Sequence, residues 1–255
     1  MYGGKDMIQS FWNKHAQGYS QLIRSDLQSN KVEKWQRFIF DEIDNTVSLN
    51  ILDIGTGPGF FPAILTSDTR KVTGIDLSDE MIKVAKENLK KLGIDATIIK
   101  QDCQETDFQE ASFDVLICRN LVWTVPNPEK AYREWYRLLK PNGQLLIFDG
   151  SWYSHHFHED AKKRFDEKAK ELQEKYNLIA HNYGDKTTDP EDFDMMNALY
   201  LSDKRRPEWD KTCLENTGFT VTKIEENYLD RILDEQEKQC RTDIAPVFFI
   251  KAIKK

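Results

Sequence analysis

The chain lacks several features that would place it in a specialised class of protein. It has only four cysteines among 255 residues, and they form no C-x-x-C pair. This excludes a familiar zinc ribbon and makes a disulfide framework unexpected. No apolar run approaches the roughly 20 residues that a membrane-spanning helix needs, and the N-terminus has no charged-then-apolar signal pattern. We therefore expect a cytoplasmic protein with reduced thiols and no membrane partner.

The chain also lacks an excess of positive charge. Lysine and arginine number 36 against 43 aspartates and glutamates, which gives a formal net charge of −7. A surface of this sign disfavours general affinity for a phosphate backbone, so we expect no nucleic-acid partner. Hydrophobic residues make up 39% of the chain. This is enough for a sizeable core, and the length favours a single domain.

Short apolar runs alternate with helical patterns between residues 49 and 150, which predicts βαβ units and a parallel sheet. Before this core, residues 1–48 contain a predicted amphipathic helix at 31–44, preceded by a shorter helix and a loop. After the core, residues 151–206 break the alternation and include a long helix predicted at 158–179. Residues 207–255 then predict a helix and a pair of strands.

A glycine-rich turn ends the first predicted strand, with the sequence Asp53-Ile54-Gly55-Thr56-Gly57-Pro58-Gly59, and a helix follows it. Glycines permit a sharp turn and a close approach to a ligand, and the helix directs free N–H groups towards it. Asp76 ends the next predicted strand, where a carboxylate can accept hydrogen bonds from ribose hydroxyls. These features predict an adenosine-containing cofactor. A dinucleotide site would have glycine at position 60, which is Phe60 here, so a nicotinamide-dependent oxidoreductase is the less favoured alternative.

An acid two residues before the first glycine, Asp53, resembles the first motif of class I (Rossmann-like) S-adenosylmethionine-dependent methyltransferases, in particular the type 11/25-like group. Four further segments resemble later motifs of that family: Gly74–Met81, Lys100–Cys103, Phe113–Asn120 and Leu138–Ile147, the last with Asn142 in place of the first glycine of an L-K-P-G-G turn. The match covers about residues 50–150 and, more weakly, the last strand pair.

This resemblance implies an α/β fold with a Rossmann-like seven-stranded sheet in the order 3-2-1-4-5-7-6, in which strand 7 is antiparallel. Helices on both faces and a helical cap complete the expected fold. The implied cofactor is S-adenosylmethionine, with S-adenosylhomocysteine as the product. The expected cofactor-binding residues are Tyr19, Asp53, Gly55, Thr56, Gly57, Gly59, Asp76, Leu77, Met81, Asp102, Cys103, Arg119 and Asn120.

In the family, the N-terminal segment and the insertions bind the substrate. Trp123 follows the fourth predicted strand and Trp152-Tyr153 follow the fifth, so these three residues are the substrate-binding candidates. The catalytic candidates are His155, His156 and Tyr19. We expect no metal, because the adjacent histidines lack a carboxylate or cysteine at ligand spacing.

The helix predicted at 158–179 is expected to cap the cleft. The expected activity is methyl transfer to an N, O, S or C atom of a small molecule by a monomer or homodimer. A protein that binds S-adenosylmethionine without catalysis, as a sensor or partner-binding module, is the alternative from another class.

Overall fold

The computed structural model describes residues 4–44, 46–187 and 189–255. In these ranges, one seven-stranded sheet has the order β3-β2-β1-β4-β5-β7-β6. Strand β7 is antiparallel to both neighbours, and the other paired strands are parallel. The predicted strand order is therefore confirmed. The strands are β1 Leu49–Ile54, β2 Arg70–Asp76, β3 Thr97–Lys100, β4 Phe113–Arg119, β5 Leu139–Gly150, β6 Phe219–Glu226 and β7 Val247–Lys254.

Helices cover both faces of this sheet. Because side chains alternate along a strand, Ile51 of β1 joins one buried cluster and the next residue, Leu52, joins the other. The first cluster packs against α2 and α3, and the second packs against α5 and α9. The helices are α1 Lys5–Leu27, α2 Lys31–Glu42, α3 Phe60–Leu65, α4 Asp79–Leu92, α5 Pro128–Leu138, α6 Ser154–Phe157, α7 Glu159–Tyr176, α8 Pro190–Ala198, α9 Glu208–Thr217 and α10 Glu235–Cys240.

The N-terminal segment differs from its prediction, because α1 is one helix of 23 residues rather than a shorter helix and a loop. Ile8, Ala16 and Ile23 are buried along one side of it. Their spacing is close to whole helical turns, so a continuous helix buries all of them together. This helix packs against α4 and also contacts α2 and α3.

The insertion contains α6, α7 and α8. The long helix of the insertion, which was predicted to cover the cofactor cleft, packs against α6 and α10, and no described residue of 151–206 lines that cleft. Both ends of the insertion are tied to the sheet by a buried ion network. Arg206 donates to Asp149 at the end of β5, at 3.0 Å, and to Asp210 in α9, at 2.7 Å. A guanidinium shared between two carboxylates meets the requirement that a buried charge be paired.

Candidate active site

A cleft opens at the carboxyl ends of β1, β2 and β4, and encloses about 940 Å³ including its open mouth. Every residue predicted to bind the cofactor lines this cleft except Gly59. A Cβ atom on Gly59 would lie 3.3 Å from the Cβ of Ala85 in α4, so this glycine permits helix packing rather than ligand approach. The structure thus brings residues from five separate segments into one site.

The loop after β1 is held open by the carboxylate of Asp76. Its Oδ2 accepts a hydrogen bond from the backbone N–H of Gly57 at 2.9 Å, and its Oδ1 accepts one from Ser78 at 2.9 Å. Burial raises the pKa of Asp76, and these two backbone hydrogen bonds oppose the shift. Since an ionised carboxylate offers about four lone-pair sites, Asp76 can shape the loop and still accept hydrogen bonds from a ribose diol.

Asp53 lies at the base of the cleft and is 2% exposed. Burial raises the pKa of its carboxyl group to about 7, against the opposing effects of the Thr56 hydroxyl and the Arg119 guanidinium. An ammonium group nearby would favour the ionised form. The cleft floor therefore suits the cationic amino group of a methionine moiety.

Arg119 ends β4 and Asn120 follows it, and the two residues differ in what they can offer a ligand. The guanidinium of Arg119 packs over the ring of Phe60 at 4.4 Å and the ring of Trp35 at 5.3 Å. Asn120 adopts a φ of +54°, and its buried Oδ1 has no hydrogen-bond partner in the described part of the chain. An unpaired buried acceptor in a cleft wall calls for a donor, so Asn120 fits an incoming ammonium or hydroxyl group.

The helix α1 covers the cleft and contributes wall residues that the sequence analysis missed. Lys5, Ile8, Trp12 and Ile23 line the cleft together with the predicted Tyr19. Their recurrence at helical spacing is the signal that would have found them. The cleft is thus closed by a helix that precedes the sheet rather than by the insertion.

One of these missed residues, Lys5, pairs with Asp102. Burial alone would raise the pKa of Asp102, but the Lys5 ammonium and the Gln104 N–H bring it below its usual value. Asp102 is therefore ionised and can accept a hydrogen bond from an amino group. The neighbouring Cys103 has its thiol pKa raised by burial, so it remains a protonated wall residue rather than a nucleophile.

The three substrate-binding candidates meet in a second cavity beside the cleft. Trp123, Trp152 and Tyr153 line this cavity. The Trp123 ring lies 6.4 Å from Trp152 and 5.8 Å from Tyr153. It also lies 6.2 Å from Trp12 in the wall of the cofactor cleft. A continuous series of aromatic contacts therefore links the wall of the cofactor cleft to the second cavity.

The catalytic histidine candidates do not reach the cofactor cleft. His155 stacks on Phe165 at 4.2 Å and hydrogen-bonds to Asn182 through Nε2 at 2.6 Å. The Nε2 of His156 lies 2.6 Å from the backbone oxygen of Tyr183. The third catalytic candidate, Tyr19, is among the described residues that line the cleft, whereas His155 and His156 are not. The described residues also contain no group of three potential metal ligands.

The sequence of this chain is similar to the sequences of known methyltransferases. Residues 52–147 match the family model described as a methyltransferase domain. A ubiquinone/menaquinone biosynthesis C-methyltransferase from Escherichia coli O1:K1 is 25% identical over 222 residues, covering 84% of this chain and 83% of that protein. This chain is an S-adenosylmethionine-dependent methyltransferase with a Rossmann-like fold. The match favours that function over both alternatives, the nicotinamide-dependent oxidoreductase and the non-catalytic sensor.

A second relative gives a shorter match to the methyltransferase. The protein of the same name from Enterobacter sp. (strain 638) is 28% identical over 152 residues, which is 57% of this chain and 60% of that protein. The match therefore spans less than two thirds of that relative. No helix in the described residues of the methyltransferase is long and apolar enough to cross a membrane.

Solved structures show the same fold. The YcgJ protein of Bacillus subtilis gives a TM-score of 0.59 at 18% identity, covering 88% of this chain and 98% of that one. A phosphoethanolamine N-methyltransferase from Haemonchus contortus, crystallised with S-adenosyl-L-methionine, gives 0.58 at 19% identity, covering 86% and 51%. At these identities the likeness supports the architecture of the methyltransferase and not its choice of acceptor.

Proposed function

We propose that this methyltransferase transfers a methyl group to a ring carbon of a small, electron-rich aromatic acceptor such as a phenol or a reduced quinone. The observation that carries the proposal is the aromatic surface formed by Trp12, Trp123, Trp152 and Tyr153 beside the cofactor cleft. Aromatic side chains give flat apolar contact area and favourable edge-to-face packing with a planar ligand. A flat ring is therefore the acceptor shape that these walls suit best.

The relatives support the same choice of atom. The proteins from E. coli and Enterobacter carry the name C-methyltransferase of ubiquinone and menaquinone biosynthesis, and quinones of both kinds contain a flat ring. Among N, O, S and C nucleophiles, we therefore propose carbon. The acidic chain, with its net charge of −7, supports a small-molecule acceptor rather than a nucleic acid.

The residues present fit S-adenosylmethionine, and each would make a distinct contribution. Asp76 would hold the ribose, Asp102 the adenine amino group, and Asp53 with Asn120 the ammonium of the methionine part. Bound S-adenosylmethionine would supply an activated methyl group to the ring carbon and leave as S-adenosylhomocysteine, and the displaced ring proton would be released to solvent as the ring regains its aromaticity. The protein's task is then to exclude water and to align the acceptor with that methyl group.

Two matched acceptors test this proposal. The protein would be incubated with methyl-labelled S-adenosylmethionine and 1,4-dihydroxynaphthalene, and the products separated and examined by mass spectrometry. We expect label on a ring carbon. The control acceptor, 2,3-dimethyl-1,4-dihydroxynaphthalene, has both adjacent carbons blocked and should receive no label. Equal labelling of the two would show O-methylation instead, and the absence of label from both would contradict the proposed acceptor class.

A further inference from the structure

The second cavity contains two polar groups that nothing in the fold satisfies. Nε1 of Trp152 and Oγ of Ser202 are buried, and neither has a hydrogen-bond partner within the described ranges. The two residues are 9% and 8% exposed, and both line the same small cavity, which encloses about 250 Å³ including the open space at its mouth. Buried polar groups in native proteins are normally paired. Two orphans in one cavity therefore indicate a missing partner.

Gly150 makes room for the indole of Trp152 at the cavity. A Cβ atom on Gly150 would lie 2.9 Å from Cε2 of the indole, the carbon to which Nε1 is bonded. Gly150 also lines the cavity. The indole of Trp152 thus occupies a space beside Gly150 that only glycine leaves open.

The other polar groups of the cavity are already engaged. The hydroxyl of Ser154 donates to the backbone oxygen of Ser151 at 3.0 Å. The guanidinium of Arg206 is used by Asp149 and Asp210. Lys204 pairs with Asp203 at 2.9 Å. Trp152 and Ser202 therefore hold the hydrogen-bonding capacity that remains for a ligand.

The character of this wall selects the chemistry of the ligand. An indole N–H can only donate, and a serine hydroxyl can also donate. No aspartate or glutamate is among the described residues that line the cavity, whereas Lys204 and Arg206 are. Because both cations are already paired with carboxylates, the groups left for a ligand are the indole N–H and the serine hydroxyl, and these suit an oxygen acceptor.

We propose that Trp152 and Ser202 recognise an oxygen atom of the acceptor, namely the hydroxyl or phenolate oxygen of an aromatic ring. This inference rests on the proposed acceptor class and adds the residues that select it. Trp123 lines the cavity, and its ring lies 6.2 Å from that of Trp12 in the wall of the cofactor cleft. A ring anchored by its oxygen in the cavity would lie along Trp123, with its nucleophilic carbon on the cofactor side.

Binding of 1-naphthol to the protein saturated with S-adenosylhomocysteine tests the pair without any turnover. Trp152→Phe keeps an aromatic ring and removes the N–H, and Ser202→Ala removes the hydroxyl. We expect each change to weaken 1-naphthol binding roughly tenfold, since each removes a hydrogen bond to an oxygen. Binding of S-adenosylhomocysteine should stay unchanged in both variants. Trp209→Phe is the matched control, because its indole packs on Tyr200 outside the cavity, and it should bind 1-naphthol normally.

The possible outcomes separate this inference from the proposed function. Normal 1-naphthol affinity in both variants would overturn the proposal that Trp152 and Ser202 bind the acceptor oxygen. The two groups would then be assigned to a structural water. Failure of the wild-type protein to bind 1-naphthol would overturn it as well. Weakened binding in both variants supports recognition of the acceptor oxygen by Trp152 and Ser202, whatever the labelling experiment gives. If 1,4-dihydroxynaphthalene then receives no methyl group, only the proposal of ring-carbon methylation is contradicted.

Discussion

Substitution of Gly57 by alanine tests whether the loop after β1 is the cofactor site. Gly57 has a φ of +50°, and a Cβ atom there would lie 3.6 Å from Cε1 of Tyr19, inside the cleft. The left-handed conformation costs an L-residue about 1–2 kcal/mol. For a chain of this size, the melting temperature should fall by roughly 2–4 °C for each kcal/mol.

Gly93 offers a matched control for the backbone cost. Its φ is +67°, and a Cβ atom would meet nothing within 4 Å, so Gly93→Ala carries similar strain without touching the cleft. Gly57→Ala adds a methyl group where the methionine part should lie. Overpacking of this kind costs about 1–3 kcal/mol, which corresponds to a roughly 5- to 150-fold loss of affinity.

Thermal unfolding and titration calorimetry with S-adenosylhomocysteine separate the two contributions. We expect similar losses of melting temperature in the two variants, and a loss of affinity in Gly57→Ala alone. Equal affinities for S-adenosylhomocysteine in Gly57→Ala and Gly93→Ala would refute the assignment of this loop to the cofactor.

Three further predictions concern the acids of the cleft. Asp76→Asn should weaken S-adenosylhomocysteine binding by roughly ten- to a hundredfold in calorimetry, because it removes a charged acceptor; wild-type affinity would exclude a role in ribose binding. Asp102→Asn should also weaken binding, whereas Lys5→Met, which frees the same carboxylate, should not; parallel losses would assign the effect to the Lys5 ion pair. The raised pKa of Asp53, about 7, means that a proton must leave when an ammonium group binds, so affinity should rise as the pH increases through 7. Asp53→Asn should flatten that dependence, and an unchanged slope would place the titrating group elsewhere.

The sheet and the cofactor loop could be predicted from local patterns in the sequence. Short apolar strands, glycines at a turn and an acid at the end of the next strand each arise within a few residues of chain. Parallel strands bring their carboxyl ends to one edge, so Gly57, Asp76 and Asp102 could be expected to lie together, and all three line the cleft. The strand order, by contrast, was predicted from the family resemblance.

The cover of the cleft could not be predicted in this way, because it depends on which amphipathic face packs where. Both α1 and α7 have one apolar side, and periodicity alone does not say which partner that side will find. In the structure, α1 packs against α4 and brings Lys5 and Trp12 to the cofactor cleft. The charged α7 packs away from this cleft. His155 and His156 form hydrogen bonds with Asn182 and Tyr183 inside the insertion.

The sequence by itself therefore predicted the strands, the glycine-rich loop after β1 and the acids near it, because these follow from short-range patterns and strand direction. Only the tertiary structure decided that Trp152 and Ser202, fifty residues apart in sequence, line the same cavity. Their proximity depends on the Arg206 network, which returns the end of the insertion to the end of β5. Contacts between distant segments of this kind leave no periodic signal in the sequence, because they arise from the summed packing of the whole insertion.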